Sequence, residues 1–322
     1  MTQATPSNWK LLERIALSTP TPVVAIANQK GGVGKTTSAV NLSAALALSG
    51  FRVLVVDLDP QGNATTGLGL ERRAVTHSTY DLLTAAPALD EVAVKTSISG
   101  LDCVPASQDL AGAEVELVQQ AARERRLRSS LEAAGGHWDI VLVDCPPSLG
   151  LLTVNGLIAA HALVIPVQCE YYALEGLGQL LSTAERVRRS LNPELRVAGL
   201  LLTMYDGRTR LSSEVAQEVR THFGELVFKA VVPRSVRLSE APSYGEPVVT
   251  LDAGSRGSIS YRLVAAELEQ RCALRPAAHA PENGGKGKSP REGPGGRGYG
   301  VATAEPSGLV EAWPVTDPWS AR

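Results

Sequence analysis

Lys30-Gly31-Gly32-Val33-Gly34-Lys35-Thr36-Thr37 is the stretch that decides the fold. It follows a short apolar run, Val23–Ala27, and opens a longer periodic one, Thr36–Ser49. A continuous, partly β-branched run suits a strand buried on both faces, and the periodic one suits a helix. Strand, glycine-rich loop and helix in this order are the setting of a phosphate loop. Glycines let the backbone curl so that its N–H groups converge on phosphate oxygens, and the helix N-terminus adds its positive end. On this reading Gly31, Gly32, Val33, Gly34, Lys35, Thr36 and Thr37 line a nucleotide. The Lys35 ammonium reaches the terminal phosphates, and the Thr36 hydroxyl binds Mg2+. The usual motif begins on a glycine. Here that position is Gln29, and a second lysine, Lys30, follows it.

Working outward, four more strand-like runs occur at Val53–Val56, Ile140–Val143, Ala162–Val167 and Val197–Leu202. Helical patterns fall between and after them, at Asp109–Ala134, Leu151–Ala160, Ala173–Leu191, Leu211–Phe223 and Ser258–Cys272. The alternation predicts a doubly wound α/β fold, with a mostly parallel sheet flanked by helices and a site at the carboxyl ends of its strands. Two of those ends carry carboxylates. Val53–Val56 leads into Asp57-Leu58-Asp59-Pro60-Gln61-Gly62-Asn63, and Ile140–Val143 leads into Asp144. Residues two apart on a strand share a face, so Asp57 and Asp59 can address one site. Carboxylates in such places hold Mg2+ or orient an attacking water. Four apolar residues ending in Asp144 read as a Walker B strand, and Asp144 is expected on the metal.

The chain has 322 residues and a net charge of −2, so no global basic signal points to nucleic acid, and a local patch would have to supply one. Cys103, Cys145, Cys169 and Cys272 stand far apart without metal-ligand spacing, which argues against zinc and for a reducing compartment. Cys145 beside Asp144 reads as a small buried residue. The N-terminus lacks the basic start and apolar stretch of a secretory signal. The uncharged run Cys145–Cys169 contains prolines, glycines and polar residues, and reads as loop, helix and buried strand, not as a membrane span. Residues 276–322 hold nine Gly and seven Pro in 47 positions, the composition of a disordered tail. Trp313 and Trp319 near its end are stray aromatics or a short docking motif. The expected organisation is an extension over 1–21, in which Trp9–Leu17 can form a short helix, an ATPase domain over 22–275 and a tail over 276–322.

The run KGGVGKTT resembles the deviant Walker A box of the ParA/MinD group of P-loop ATPases. That resemblance implies that Lys30 reaches across a homodimer to the partner's nucleotide, so that two ATP molecules are sandwiched between subunits. DLDPQGNAT is similar to the group's second nucleotide motif, which implies that Asp59 positions the hydrolytic water and Asp57 lies near the metal. PPSLG after Asp144 resembles its switch region, and Gln168–Gly176 resembles a segment of the dimer face. Val232-Pro233-Arg234-Ser235-Val236-Arg237-Leu238-Ser239-Glu240-Ala241-Pro242-Ser243-Tyr244-Gly245 is characteristic of the Soj-like chromosomal members. By the same resemblance the adenine lies near Thr203 and Pro233, and Arg208, Arg234, Arg237 and Arg256 contact nonspecific double-stranded DNA.

The implied protein is a cytoplasmic, nucleoid-associated partition ATPase that uses ATP and Mg2+ and is stimulated by a ParB-type centromere-binding protein. The resemblance spans about residues 22–272. It departs at Asp252-Ala253-Gly254-Ser255-Arg256-Gly257, where relatives often carry a DPxSRG-type run. Some twenty residues before the first strand leave no room for an extra DNA-binding domain, which argues against operator-specific repression. A MinD-like membrane-surface ATPase needs a basic amphipathic C-terminal helix, yet residues 300–322 offer only Arg322 among several prolines. An iron–sulfur relative would need cysteines placed to bridge a dimer, and Cys103 and Cys145 lack that setting. A scaffold that binds nucleotide without hydrolysis is disfavoured by intact Lys35, Asp59 and Asp144.

Overall fold

The computed structural model describes residues 21–170 and 175–276; side-chain surroundings at Glu175 are not among them. The expectations for Trp9–Leu17, for Tyr171–Leu174 and for the tail beyond residue 276 lie outside the described residues. Seven strands form one sheet: β1 Val23–Ile26, β2 Val53–Asp57, β3 Val94–Lys95, β4 Leu101–Val104, β5 Ile140–Asp144, β6 Ala162–Gln168 and β7 Arg196–Thr203. Their order is β3-β4-β2-β5-β1-β6-β7. Every pairing is parallel except β3 with β4. All residues of β1, β2 and β5 are buried, as continuous apolar runs between two helical layers require. The sheet divides the core into two apolar clusters, one on each face.

The five long strands lie where the apolar runs placed them. Short helices at Asn63–Gly67, Thr79–Thr84, Leu89–Val92, Val236–Glu240 and Val248–Leu251 add to the expected ones, and two larger features differ. Strands β3 and β4 were not expected. Leu101–Val104 is short and interrupted by Asp102, whose carboxylate accepts the Trp138 indole N–H at 3.0 Å. The single helix expected over Asp109–Ala134 is instead two, Leu110–Leu117 and Arg126–Ala133, joined by a 3-10 turn at Arg123–Arg125. The first helix ends at Leu117, and Ala122, with φ 52°, leads into the 3-10 turn. The Arg126 guanidinium then donates to the Leu83 and Thr84 carbonyls, aligning the second helix separately.

Close approach fixes the helices that frame the site. Gly156 in the helix Leu151–Ala159 faces the Cys145 thiol, and a β-carbon there would lie 2.8 Å from Sγ. All four cysteines are free and buried, and burial pushes the Cys145 thiol well up. On the other face the helix Lys35–Leu48 packs on the last helix, Arg256–Cys272, through a buried Ser38 Oγ–Tyr261 OH hydrogen bond of 3.1 Å. The last helix starts on Ser255, whose hydroxyl accepts the Ser258 N–H.

Its last turn carries Arg271, which pairs with Glu267 at 2.7 Å and donates to the Ala198 and Val227 carbonyls at 2.9 Å each. The guanidinium also lies 4.4 Å over the Phe228 ring. Truncating it leaves two carbonyls and a half-buried carboxylate without their cation. Arg271→Ala is therefore expected to lower unfolding free energy by about 2–4 kcal/mol in urea titration. A loss under about 0.5 kcal/mol would show the pairing to be solvent-like.

Candidate nucleotide site

The carboxyl ends of β1, β2, β5, β6 and β7 meet on one edge of the sheet. The phosphate loop leaves β1, which sits between β5 and β6. At this point neighbouring chain connections run in opposite directions, the switch point where ligands bind in open parallel sheets. Gly34 adopts φ 89° and immediately precedes the helix Lys35–Leu48. A side chain there would be strained, so glycine is required for the loop to enter the helix. Asn28 fixes the loop's start: its amide donates to the Pro166 carbonyl at 2.6 Å and its oxygen accepts the Lys30 N–H at 3.1 Å. Thr203, at the end of β7, fixes its middle by donating to the Val33 carbonyl at 2.8 Å.

The two lysines sit in different surroundings. Lys35 is buried and donates to the Lys30 carbonyl at 3.0 Å. Burial lowers its pKa, while Asp144 and Asp59 pull it back up. Lys30 is at the rim, with 38% of its side chain exposed, and its ammonium lies 3.7 Å from Glu170. A pair so exposed contributes little.

Three carboxylates follow. Asp57 and Asp144 are register partners at the ends of β2 and β5, and both are fully buried. Asp57 is held by three hydrogen bonds: one oxygen accepts the Asp59 N–H at 3.1 Å, and the other accepts the Thr65 N–H at 2.9 Å and the Thr65 hydroxyl at 2.7 Å. Asp57 thus shapes the loop after β2 from its place beside Asp144. Burial pushes its carboxyl up to about 6, against the pull of the Thr65 bonds. Asp144 is the opposite case, since neither of its buried oxygens has a hydrogen-bond partner. Burial, then Asp57, pushes it well above the carboxylate range, while the Thr36 hydroxyl, close by but outside hydrogen-bond geometry, and the Lys35 charge draw it down. Asp59 is buried, and its Oδ1 accepts the Gln61 N–H at 2.9 Å.

Two orphaned carboxylate oxygens at full burial fit a hydrated divalent cation, because a buried charge needs a partner. Among the described residues no group of three or more His, Cys, Asp and Glu side chains could hold a metal alone. Mg2+ keeps waters and takes phosphate oxygens beside one or two protein ligands. Thr36 and Asp144 are the residues that would hold it. The metal would supply charge neutralisation at the phosphates.

Thr203 and Pro233 lie near one another at the end of β7, where Tyr205 and Pro233 form an isolated parallel bridge. Between them Met204 adopts φ 52°, uncommon outside glycine, at the turn off the sheet. The four arginines are all exposed on segments after β7. Arg208 makes a bidentate pair with Asp206, whose carboxyl falls to about 2 under those bonds. Arg237 lies 3.5 Å from Glu240 and 3.4 Å from Asp252. Leu238 between them is anchored against Gly257, where a β-carbon would meet it at 2.8 Å. Sequence reasoning missed Thr65, Asn28 and Arg72. Thr65 and Asn28 support the motif residues, and Arg72 donates to the Pro60 and Gln61 carbonyls.

Phosphate loop, Walker B carboxylate and parallel sheet define a P-loop ATPase, and residues 21–197 match the AAA domain family. The chain is 55% identical over 254 residues to the chromosome partitioning protein ParA of Caulobacter vibrioides, covering 78% of this chain and 95% of that one. It is 53% identical over 246 residues to the sporulation initiation inhibitor protein Soj of Bacillus subtilis, covering 76% and 97%. The chain belongs to the ParA/Soj family of chromosome-partitioning ATPases. A similar solved structure is cobyrinic acid a,c-diamide synthase from Mycobacterium smegmatis with a bound ATP analogue and magnesium. It is 41% identical with a TM-score of 0.68, covering 76% of this chain and 93% of that one.

Proposed function

We propose that this protein is a DNA-segregation ATPase whose ATP-bound form is a homodimer that holds nonspecific double-stranded DNA and lets go on hydrolysis. The observation that carries this reading is the split between the lysines: Lys35 is buried in its own site, while Lys30 stands half-exposed at the rim. An ammonium so placed can serve a nucleotide held by a second copy. Asp59 orients the attacking water, with no covalent intermediate, so rate comes from positioning and charge stabilisation. Thr203 and Pro233 border the base. Arg208, Arg234, Arg237 and Arg256 contact DNA phosphates, and a ParB-type protein stimulates turnover. Among the described residues no helix is long and apolar enough to cross a membrane; the MinD-like alternative turns on residues 300–322, which lie outside the described residues.

Binding to random-sequence duplex DNA with ATP, with ADP and without nucleotide, at two salt concentrations, tests this. Tight binding with ATP alone, weakening steeply with salt, is expected, because phosphate contacts release counterions. Lys30→Ala should bind ATP yet stay monomeric by light scattering and lose DNA. Arg237→Glu should keep the ATP dimer and lose at least about tenfold in DNA affinity, since it replaces a phosphate contact with a repulsion. DNA binding that ignores the nucleotide would overturn the reading.

A further inference from the structure

We propose that Arg72 is a positioning residue that aims the Asp59 carboxylate through a single peptide group. This rests on the reading of Asp59 as the water-orienting group.

Arg72 belongs to none of the nucleotide motifs and sits on a short 3-10 turn, Arg72–Ala74. Its Nη1 donates to the Gln61 carbonyl at 2.6 Å, and its Nη2 donates to the Pro60 carbonyl at 2.8 Å. The Pro60 carbonyl and the Gln61 N–H are two ends of one planar peptide unit. That N–H is the group that holds Asp59 Oδ1 at 2.9 Å. The guanidinium therefore grips the peptide by its oxygen while the peptide's hydrogen grips the carboxylate. Fixing one end of a rigid plane fixes the other, and a cation on the carbonyl polarises the N–H toward its acceptor.

The packing is specific to this arrangement. The guanidinium lies across Gly62, where a β-carbon would stand 2.5 Å from Nε and 2.8 Å from Cζ. Gly62 also adopts φ 63°, and its N–H donates to the Asp59 carbonyl at 2.8 Å. The Arg72 Nε–H is buried with no acceptor. Burying an unpaired N–H costs free energy, so the two carbonyl bonds hold the side chain in a place it would otherwise leave. At the opposite side, the Asp59 N–H is tied to Asp57 Oδ1 at 3.1 Å. Asp59 is thus set from behind by the end of β2 and from the front by Arg72.

The test compares Arg72→Met with Arg72→Lys in full-length protein, with magnesium ATP and duplex DNA. Methionine keeps an apolar stem over Gly62 but donates nothing, whereas lysine keeps one donor. Arg72→Met should lower kcat about ten- to a hundredfold, as a slightly misplaced catalytic group does. KM for ATP should stay within twofold and the melting temperature within two or three degrees. Arg72→Lys should recover most of kcat. Wild-type kcat in Arg72→Met would overturn the proposal, and so would a joint fall of kcat, ATP affinity and melting temperature in both variants. The underlying reading fails separately, if Asp59→Ala turns over at the wild-type rate whatever Arg72 does.

Discussion

Replacing Asp144 with asparagine is expected to raise the melting temperature of the nucleotide-free protein and to erase the further rise that magnesium and ATP give the wild type. Asp57 and Asp144 are fully buried register partners on adjacent strands, and no bond inside the protein saturates the Asp144 oxygens. Two buried carboxylates on facing strand ends raise one another's proton affinity, so the pair strains the ligand-free fold. An amide of the same shape removes one charge. A gain of roughly 0.5–2 kcal/mol is the usual scale when a functional site's strain is relieved. The ligand effect has the opposite sign. A ligand that binds only the folded state at a hundred times its Kd adds about 2.7 kcal/mol, and Asp144→Asn should lose nearly all of it for lack of an anion to hold the metal. Scanning calorimetry with and without magnesium ATP separates the two. A nucleotide-free variant melting below wild type would mean that the carboxyl is structural and the orphaned oxygens were misread.

Lys35→Ala should weaken nucleotide binding strongly. The ammonium is buried at the phosphate loop, and the Asp144 and Asp59 charges favour its protonated form against the cost of burial. A hydrogen bond to a charged group contributes about 1.5–3 kcal/mol, so losing the buried cation of the loop should weaken ATP by roughly ten- to a hundredfold. Removing it also leaves Asp144 with less opposing charge, so the variant should melt below wild type, in contrast to Asp144→Asn. Titration calorimetry with a non-hydrolysable ATP analogue reads the first effect and thermal melting the second. Unchanged affinity would detach Lys35 from the phosphates.

Much of this was legible in the chain. The strands that place the site are buried on both faces, so their apolar runs are continuous and readable, and the glycine pattern of the phosphate loop has few other uses. What escaped the sequence was what depends on neighbours distant along the chain. Strand β4 is held by pairing with β2 and carries a polar residue. The break between Leu117 and Arg126 falls among residues that favour helix, and the Arg126 bonds to the distant Leu83 and Thr84 carbonyls leave no mark on the local pattern. Asp57 and Asp144 look alike in sequence, each closing an apolar strand. Only Thr65, folded back onto Asp57, separates a loop-shaping carboxylate from one with its oxygens open. Arg72 could not be found from spacing, since its role depends on one peptide plane.

The close fit of Gly156 over Cys145 has a use for dynamics. A thiol walled in on all sides, with its proton held on by burial, reacts with an alkylating reagent only when the wall parts. The alkylation rate in native buffer then reads the free energy of local opening. At Cys145 that is the opening of the strand end bearing Asp144; at Cys169, of the end of β6; at Cys103, of β4; at Cys272, of the last helix's end. The chain carries four built-in reporters, one next to the group that would feel the metal.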